Sequence, residues 1–263
     1  MSSNSDNNDD SNNNKKRKVD RDDYNEYHPN LIVCTSKALP ILFTKLRNKT
    51  TNHVDFVKYS KRVMRIVAEE ALAEFPTIEV DVETPCGPCK GIQHVGCNNG
   101  DNNDDSGNGN EYPSNICAVS IVRSGDALLE SVLEVEPGIK VGKILIQRDE
   151  EHPEKIPKLF YSKLPPNVSQ SCNGGILLCD PMLATGGSAM MAIQVLQEKY
   201  QIDTSKIIFA NVICAPEGLQ AMSQKYPEIK IVTACVDEKL NSDKFIVPGL
   251  GDYGDRFFGT TED

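Results

Sequence analysis

Asp180, Thr185, Gly186, Gly187 and Ser188 place one carboxylate, two hydroxyls and two glycines within nine residues, the groups needed to hold a phosphorylated sugar. If they lie where a strand gives way to a helix, the first helical N–H groups have no intrahelical acceptor. The helix dipole then favours an anion, and Thr185 to Ser188 offer backbone and hydroxyl donors to a phosphate. Asp180, just ahead of the turn, is an acceptor for sugar hydroxyls. The flanking residues predict those elements. Ile176, Leu177 and Leu178 form an apolar run of the kind found in a strand covered on both faces, and Ala189, Met190, Met191, Ile193, Val195 and Leu196 follow at helical spacing. Strand, glycine turn and helix also occur as a plain connection, and Thr-Gly-Gly-Ser alone leaves turn and anion site equally open. A Walker-type loop has a Lys after its last glycine, where this chain has Ser188.

Positive charge comes from two other strand ends. Ile116 to Arg123 reads as a strand followed by a helix through Leu128, Leu129, Val132 and Leu133, and Val141 to Gln147 reads as the next strand, ending at Arg148. In open α/β sheets the binding crevice lies at the carboxyl ends of strands, so Arg123 and Arg148 are placed to converge with Asp180. Surface ion pairing is the other reading, most directly for Arg148 beside Asp149, Glu150 and Glu151. Residues 245–260 read as a loop with four glycines and one proline in 16 residues, which exposes backbone N–H and C=O groups at defined positions. Such a loop can read the hydrogen-bonding edge of a ligand through its main chain, without any charged side chain.

Asp-Pro-Met-Leu-Ala-Thr-Gly-Gly-Ser at 180–188 closely resembles the phosphoribosyl-diphosphate motif of the uracil phosphoribosyltransferases, and Phe-Ile-Val-Pro-Gly-Leu-Gly-Asp-Tyr-Gly-Asp-Arg-Phe-Phe-Gly-Thr at 245–260 resembles their uracil-binding segment. The resemblance covers most of residues 30–260. It implies a type I phosphoribosyltransferase fold, an α/β architecture with a mostly parallel sheet and helices on both faces, and a carboxyl-terminal base-binding part. The implied reaction transfers the 5-phosphoribosyl group from phosphoribosyl diphosphate to uracil, giving UMP and diphosphate in pyrimidine salvage. Carried over residue by residue, the donor site comprises Arg123, Arg148, Asp180, Pro181, Met182, Leu183, Ala184, Thr185, Gly186, Gly187, Ser188 and Asp252. Ile246, Gly251, Asp252 and Tyr253 form the uracil site, largely through the main chain, and Arg123, Arg148 and Asp252 are the catalytic set. Tyr253 stands where bacterial members often have a small residue. Magnesium is implied as a cofactor carried by the donor, without a dedicated protein cage. The resemblance further implies a homo-oligomer, dimer or tetramer, and a GTP effector as in some members.

Composition agrees with a small-molecule enzyme. The 263 residues are 39% hydrophobic, enough for one sizeable core, so residues 28–263 are expected to form one domain. No apolar run is long enough to span a bilayer, and the amino terminus is polar where a signal peptide is apolar. Nine cysteines, an odd number without an export signal, read as reduced thiols and suggest a cytoplasmic protein. Of the net charge of −10, residues 1–27 and 98–112 carry −6, leaving a mildly acidic remainder without a basic face, so neither nucleic acid nor a membrane is expected as partner. Residues 1–27 and the insert near 98–110 are rich in Asn and Asp and cannot repay the entropy of ordering, so both are expected to be disordered. Lys15-Lys16-Arg17-Lys18 reads either as a nuclear import signal or as a solvated charge run.

Ser36 to Arg47 and Val54 to Phe75 predict helices, and Thr77 to Val82 alternates like a strand. The family has a strand hairpin beginning near Thr84-Pro85, and this chain departs there. Cys86, Cys89, His94 and Cys97 supply four soft ligands within twelve residues, chemically competent for zinc, or belong to a metal-free loop. The altered segment 84–112 also leaves open a regulator that binds phosphoribosyl diphosphate or nucleotide without turnover. Predicted strands at 159–164, 206–215 and 229–236, with a helix at 217–225, complete an alternating pattern.

Overall fold

The computed structural model describes residues 26–95, 115–148 and 157–260, with the Arg148 side chain excepted. The tail with Lys15 to Lys18, Cys97 and the insert at 98–110 lie outside the described residues.

The elements in chain order are β1 (Leu31–Val33), α1 (Leu39–Arg47), α2 (His53–Ala73), β2 (Thr77–Thr84), β3 (Gly87–His94), β4 (Ile116–Val122), α3 (Ser124–Val135), β5 (Lys140–Arg148), β6 (Pro157–Lys163), α4 (Val168–Ser171) and β7 (Gly175–Cys179). Then come β8 (Met182–Leu183), α5 (Gly187–Tyr200), β9 (Ile207–Cys214), α6 (Pro216–Lys225), β10 (Lys230–Val236), β11 (Lys239–Leu240), β12 (Ile246–Val247) and α7 (Tyr253–Phe258). The main sheet runs β1-β10-β9-β7-β4-β5-β6, with the short β8 beside β9. Every neighbouring pair is parallel except β5 with β6.

Side chains of the central strands alternate between two buried clusters, as a sheet covered on both faces requires. Ile116, Ala118, Leu177 and Ala210 face α1, α2 and α3, while Cys117, Val119, Leu178 and Phe209 face α5 and α6. On α2, Phe56, Ser60, Val63, Met64, Val67 and Ala71 recur at helical spacing and are buried, and the Asn52 side chain caps the helix by accepting from Asp55 N at 2.9 Å. Strand order reverses between β4 and β7. From β4 the chain crosses through α3 to β5 on one side, and from β7 it crosses through α5 to β9 on the other, which puts α3 and α5 on opposite faces. The crevice opened by such a reversal lies at the carboxyl ends of β4 and β7. The two ends are pressed together: a Cβ on Gly125, in the first turn of α3, would lie 2.3 Å from the Cys179 carbonyl oxygen.

Two guanidinium groups fix the carboxyl-terminal segment to this frame. Arg47, at the end of α1, donates through Nη1 and Nη2 to both carboxylate oxygens of Asp237, at 2.9 and 2.5 Å, and through Nη1 to the Gly249 carbonyl at 2.8 Å. Asp237 also accepts from Gly249 N at 2.8 Å. In return, Arg256 of α7 donates to the carbonyls of Leu46, Asn48 and Leu250 at 2.5, 2.9 and 2.6 Å, with its plane 4.2 Å from the Phe56 ring centroid.

The segment after β2 differs from expectation. β2 and β3 form a regular antiparallel hairpin, paired from Thr77↔His94 to Thr84↔Gly87, where a departure from the family's hairpin is expected. Cys86 lies in its turn and His94 seven residues beyond Gly87, roughly 20–25 Å along the strand at about 3.4 Å per residue. Cys86, Cys89 and His94 therefore do not converge on one zinc ion. Among the described residues, no group of three or more His, Cys, Asp or Glu side chains is arranged to hold a metal.

Replacing Arg47 with Met should leave the Asp237 carboxylate, whose side chain is 3% exposed, without its countercharge. The expected loss is about 3 kcal/mol of unfolding free energy, read from the shift of the denaturant midpoint.

Candidate active site

The reversal between β4 and β7 opens into a cavity of about 680 Å³. Its floor is the pair of strand ends. Arg123 and Ser124 follow β4, Asp180 follows β7, and Leu145 to Gln147 of β5 close one side. One wall is Met182 to Gly186 with the first three residues of α5, Gly187 to Ala189. The other is the segment Asp243 to Ile246 with Gly251 to Gly254. The peptide bonds Val122–Arg123 and Val247–Pro248, flanking the two walls, are cis.

Gly187 begins α5 and Gly186 caps it in a left-handed conformation at φ 80°, so the leading N–H groups of the helix open toward the cavity beside the Thr185 and Ser188 hydroxyls. No cationic side chain belongs to this turn, and its attraction for an anion comes from N–H dipoles and the Thr185 and Ser188 hydroxyls.

Asp180 is the buried charge of the site, 8% exposed. Its Oδ1 accepts from the Ser124 hydroxyl at 3.0 Å, and Met182 N lies 3.5 Å away. Burial pushes the carboxyl up to about 7, opposed by the Ser124 and Met182 donors and reinforced by the Asp252 charge. Its backbone carbonyl accepts from Asn211 Nδ2 at 3.2 Å, which ties the strand end to β9. Asp252 caps α7 by accepting from Asp255 N at 2.8 Å and lines the same cavity.

Most residues expected at the site line it: Asp180, Met182 to Ser188, Ile246, Gly251, Asp252, Tyr253 and Arg123. Pro181 does not. It is buried in the frame, with its carbonyl accepting from Val212 N and Ile213 N at 3.1 and 3.0 Å. Arg148 is the last residue of β5, opposite Pro157, and its side chain lies outside the described residues. Arg123 lines the cavity but is already engaged. Nη2 donates to Asp255 Oδ1 at 2.5 Å and Nη1 to Thr260 Oγ1 at 2.8 Å, and the group sits 5.9 Å from the Phe258 ring centroid. These bonds hold the Asp255 carboxyl below the usual carboxylate range, first through Arg123 and then through Thr260. Ion pairing and cavity lining thus coexist in one side chain.

The 245–260 segment is less of a free loop than its glycines suggest, because Tyr253 to Phe258 form α7. The Tyr253 ring is fully buried, 5.4 Å from Phe56 and 6.4 Å from Phe257 between centroids, so residue 253 presents backbone to the cavity. A larger side chain at that position fills the interior and leaves the pocket's shape alone. Ser124, Gln147 and Asp243 to Phe245 were not singled out as site residues. Ser124 carries a signal, since it follows Arg123 at a strand end facing Asp180; the hairpin-tip residues carry none, because only the tertiary fold brings them to the turn.

The comparisons with known proteins agree. The family model described as uracil phosphoribosyltransferase matches residues 33–260. The uracil phosphoribosyltransferase of Dictyostelium discoideum is 41% identical over 90% of this chain and 99% of its own length. That of Saccharomyces cerevisiae is 41% identical over 82% of this chain and 90% of its own. Among solved structures, the AQ2163 protein of Aquifex aeolicus superposes with a TM-score of 0.69 at 28% identity, covering 89% of this chain and all of that one.

The raised Asp180 carboxyl gives a pH signature. A carboxyl whose folded value lies above its unfolded one favours the folded state below the unfolded value, and that contribution is lost as pH rises through the folded value. Asp180→Asn should therefore leave stability unchanged near pH 4 and raise the melting temperature relative to wild type at pH 8, where the wild-type charge is buried. Equal melting temperatures at both pH values would show that ionised Asp180 is not strained.

Proposed function

The chain belongs to the uracil phosphoribosyltransferase family, and from that premise we propose that it joins uracil to the 5-phosphoribosyl group of phosphoribosyl diphosphate, giving UMP and diphosphate in pyrimidine salvage. The observation that carries this reading is the single cavity walled by an anion-binding helix start on one side and backbone-rich residues 246–254 on the other. A phosphosugar and a small planar base fit those two walls.

In this reading Thr185 to Ser188 hold the 5′-phosphate and Asp180 accepts from the ribose hydroxyls. Ile246, Gly251 and the Tyr253 backbone meet the uracil edge, and Asp252 faces the ribose. A uracil nitrogen attacks the anomeric carbon as the bond to diphosphate breaks; the departing diphosphate keeps the bonding electrons, and the proton of the attacking N–H is released to solvent. Rate enhancement comes from positioning and from charge stabilisation of the leaving group. Arg148 supplies that charge, together with Arg123 once diphosphate competes with Asp255 for its guanidinium. Asp180 and Asp252, both lining the cavity, are hard oxygen donors of the kind magnesium accepts in small number and would suit the donor's magnesium. When bound, magnesium neutralises diphosphate.

Assembly, regulation and location belong to the same proposal. The β2–β3 hairpin exposes Ile78, Val82 and Ile92, with Val95 just beyond, apolar surface that suits a homo-oligomer. None of the hairpin's residues lines the cavity. GTP is proposed as an effector on the family resemblance alone. No described helix is long and apolar enough to cross a membrane, and the eight described cysteines are free thiols, which fits the cytoplasm.

The test is UMP formation from labelled uracil, phosphoribosyl diphosphate and magnesium, with and without GTP, and with orotate and hypoxanthine as competing bases. Uracil-dependent turnover is expected, with kcat in Arg148→Ala reduced about 10²-fold or more. Donor binding by the wild-type protein without turnover under any of these conditions would overturn the reading.

A further inference from the structure

A phosphate monoester brought to the 185–188 turn meets N–H and hydroxyl donors but no cation from the turn itself. Two cationic side chains line the cavity from elsewhere: Arg123, already paired with Asp255, and Lys244. Lys244 sits at the tip of the β11–β12 hairpin and lines the cavity, and none of the described residues forms an ion pair with its ammonium.

The backbone there is built tightly. Asn241 Oδ1 accepts from Asp243 N and Phe245 N at 3.0 and 2.9 Å, Asn241 N donates to the Phe245 carbonyl at 2.9 Å, and Lys244 N donates to the Asn241 carbonyl at 3.0 Å. The turn holds Lys244 at φ 65°, a left-handed conformation that glycine adopts more freely than a residue with a Cβ.

The hairpin and the phosphate turn share one neighbour. In the first turn of α6, Glu217 Oε1 accepts from Leu240 N at 2.9 Å, anchoring the hairpin at β11. The next residue, Gly218, is so close to the phosphate turn that a Cβ on it would lie 2.4 Å from the Ala184 carbonyl oxygen. Adjacent residues of α6 therefore contact both β11 of the hairpin and the turn, and Lys244 and the turn line the same cavity.

We propose that Lys244 is a further binding residue of this site, pairing its ammonium with the 5′-phosphate held by the 185–188 turn in both the phosphoribosyl donor and the nucleotide product. The inference rests on the reading of the site given under Proposed function. Lys244 supplies from a distant hairpin the charge that a Walker-type loop carries within its own sequence. A flexible, hydrated ammonium at the mouth suits a ligand that must also leave.

Lys244→Gln, Lys244→Arg and Lys244→Gly separate charge from backbone. With UMP and uridine as titrated ligands, Lys244→Gln should weaken UMP binding about tenfold, as loss of one charge-assisted hydrogen bond predicts. Uridine, which lacks the phosphate, should bind unchanged, and Lys244→Arg should retain most of the UMP affinity. KM for phosphoribosyl diphosphate should rise with KM for uracil constant, and the salt dependence of UMP binding should flatten. Lys244→Gly should lose the same UMP affinity while its melting temperature stays equal or rises, which excludes unfolding as the cause. Equal UMP affinity in wild type and Lys244→Gln overturns the inference while leaving uracil-dependent turnover intact. Absence of wild-type turnover overturns the underlying reading instead.

Discussion

The cavity wall formed by Ile246 and Gly251 to Gly254 exists because Arg47 and Asp237 neutralise each other at the edge of the core. Asp237 ends the strand region of β10, Arg47 ends α1, and 190 residues separate them in sequence. A carboxylate this buried is costly unless it is paired and hydrogen-bonded, and here Arg47 and Gly249 N together satisfy both oxygens. What the pair supplies above all is position. The Gly249 backbone is held by donor and acceptor at once, so the segment between β12 and α7 has one place to go. Arg256 repeats the device in reverse, satisfying carbonyls at the end of α1 that the helix leaves unpaired. The two arginines lock helix and segment to each other from both sides, and backbone-mediated recognition requires that rigidity, because a floppy main chain carries no hydrogen-bond code.

The other wall depends on a different economy. Joining β4 and β7 at the reversal puts Ser124 and Asp180 within hydrogen-bond distance, and the close fit at Gly125 forbids any side chain between them. The resulting carboxyl is buried and so titrates near neutrality, unlike a solvated aspartate. Such a group has only the Ser124 hydroxyl and a distant Met182 N–H as donors, and further hydroxyl donors would satisfy it better. Buried polarity of this kind stores preference for ligand over water, which is how a site gains selectivity without additional contacts.

Much of the fold was legible because the central strands carry long apolar runs. Ile176 to Leu178 and Ile207 to Ile213 have no other stable home than a sheet covered on both faces, and their alternation with amphipathic helices fixes the parallel order. Both site motifs were legible as well, since glycine and carboxylate at a strand end carry their chemistry locally. The three-residue strand β1, the two-residue strands β11 and β12, and helix α7 are too short for any periodicity to register. The 86–95 segment misleads for the opposite reason: Cys86, Cys89 and His94 have ligand-like spacing in sequence, but extended hairpin pairing pulls them apart. Arg47, Asp237 and Arg256 were silent because each looks like an ordinary surface charge until its partner, far away along the chain, is known.

Charge placement at the cavity follows from that distant pairing. The acids Asp180 and Asp252 belong to the site's frame, Arg123 is bound by Asp255 and Thr260, and the phosphate turn contributes only dipoles. A ligand rich in negative charge therefore has to draw its cations from side chains that can be redirected. The Arg123–Asp255 pair is held weakly, because both partners are about half exposed and their pairing is screened by water. Lys244 lines the cavity with no ion pair to break among the described residues. Cations recruited this way contribute most when the ligand is present and least when it is absent.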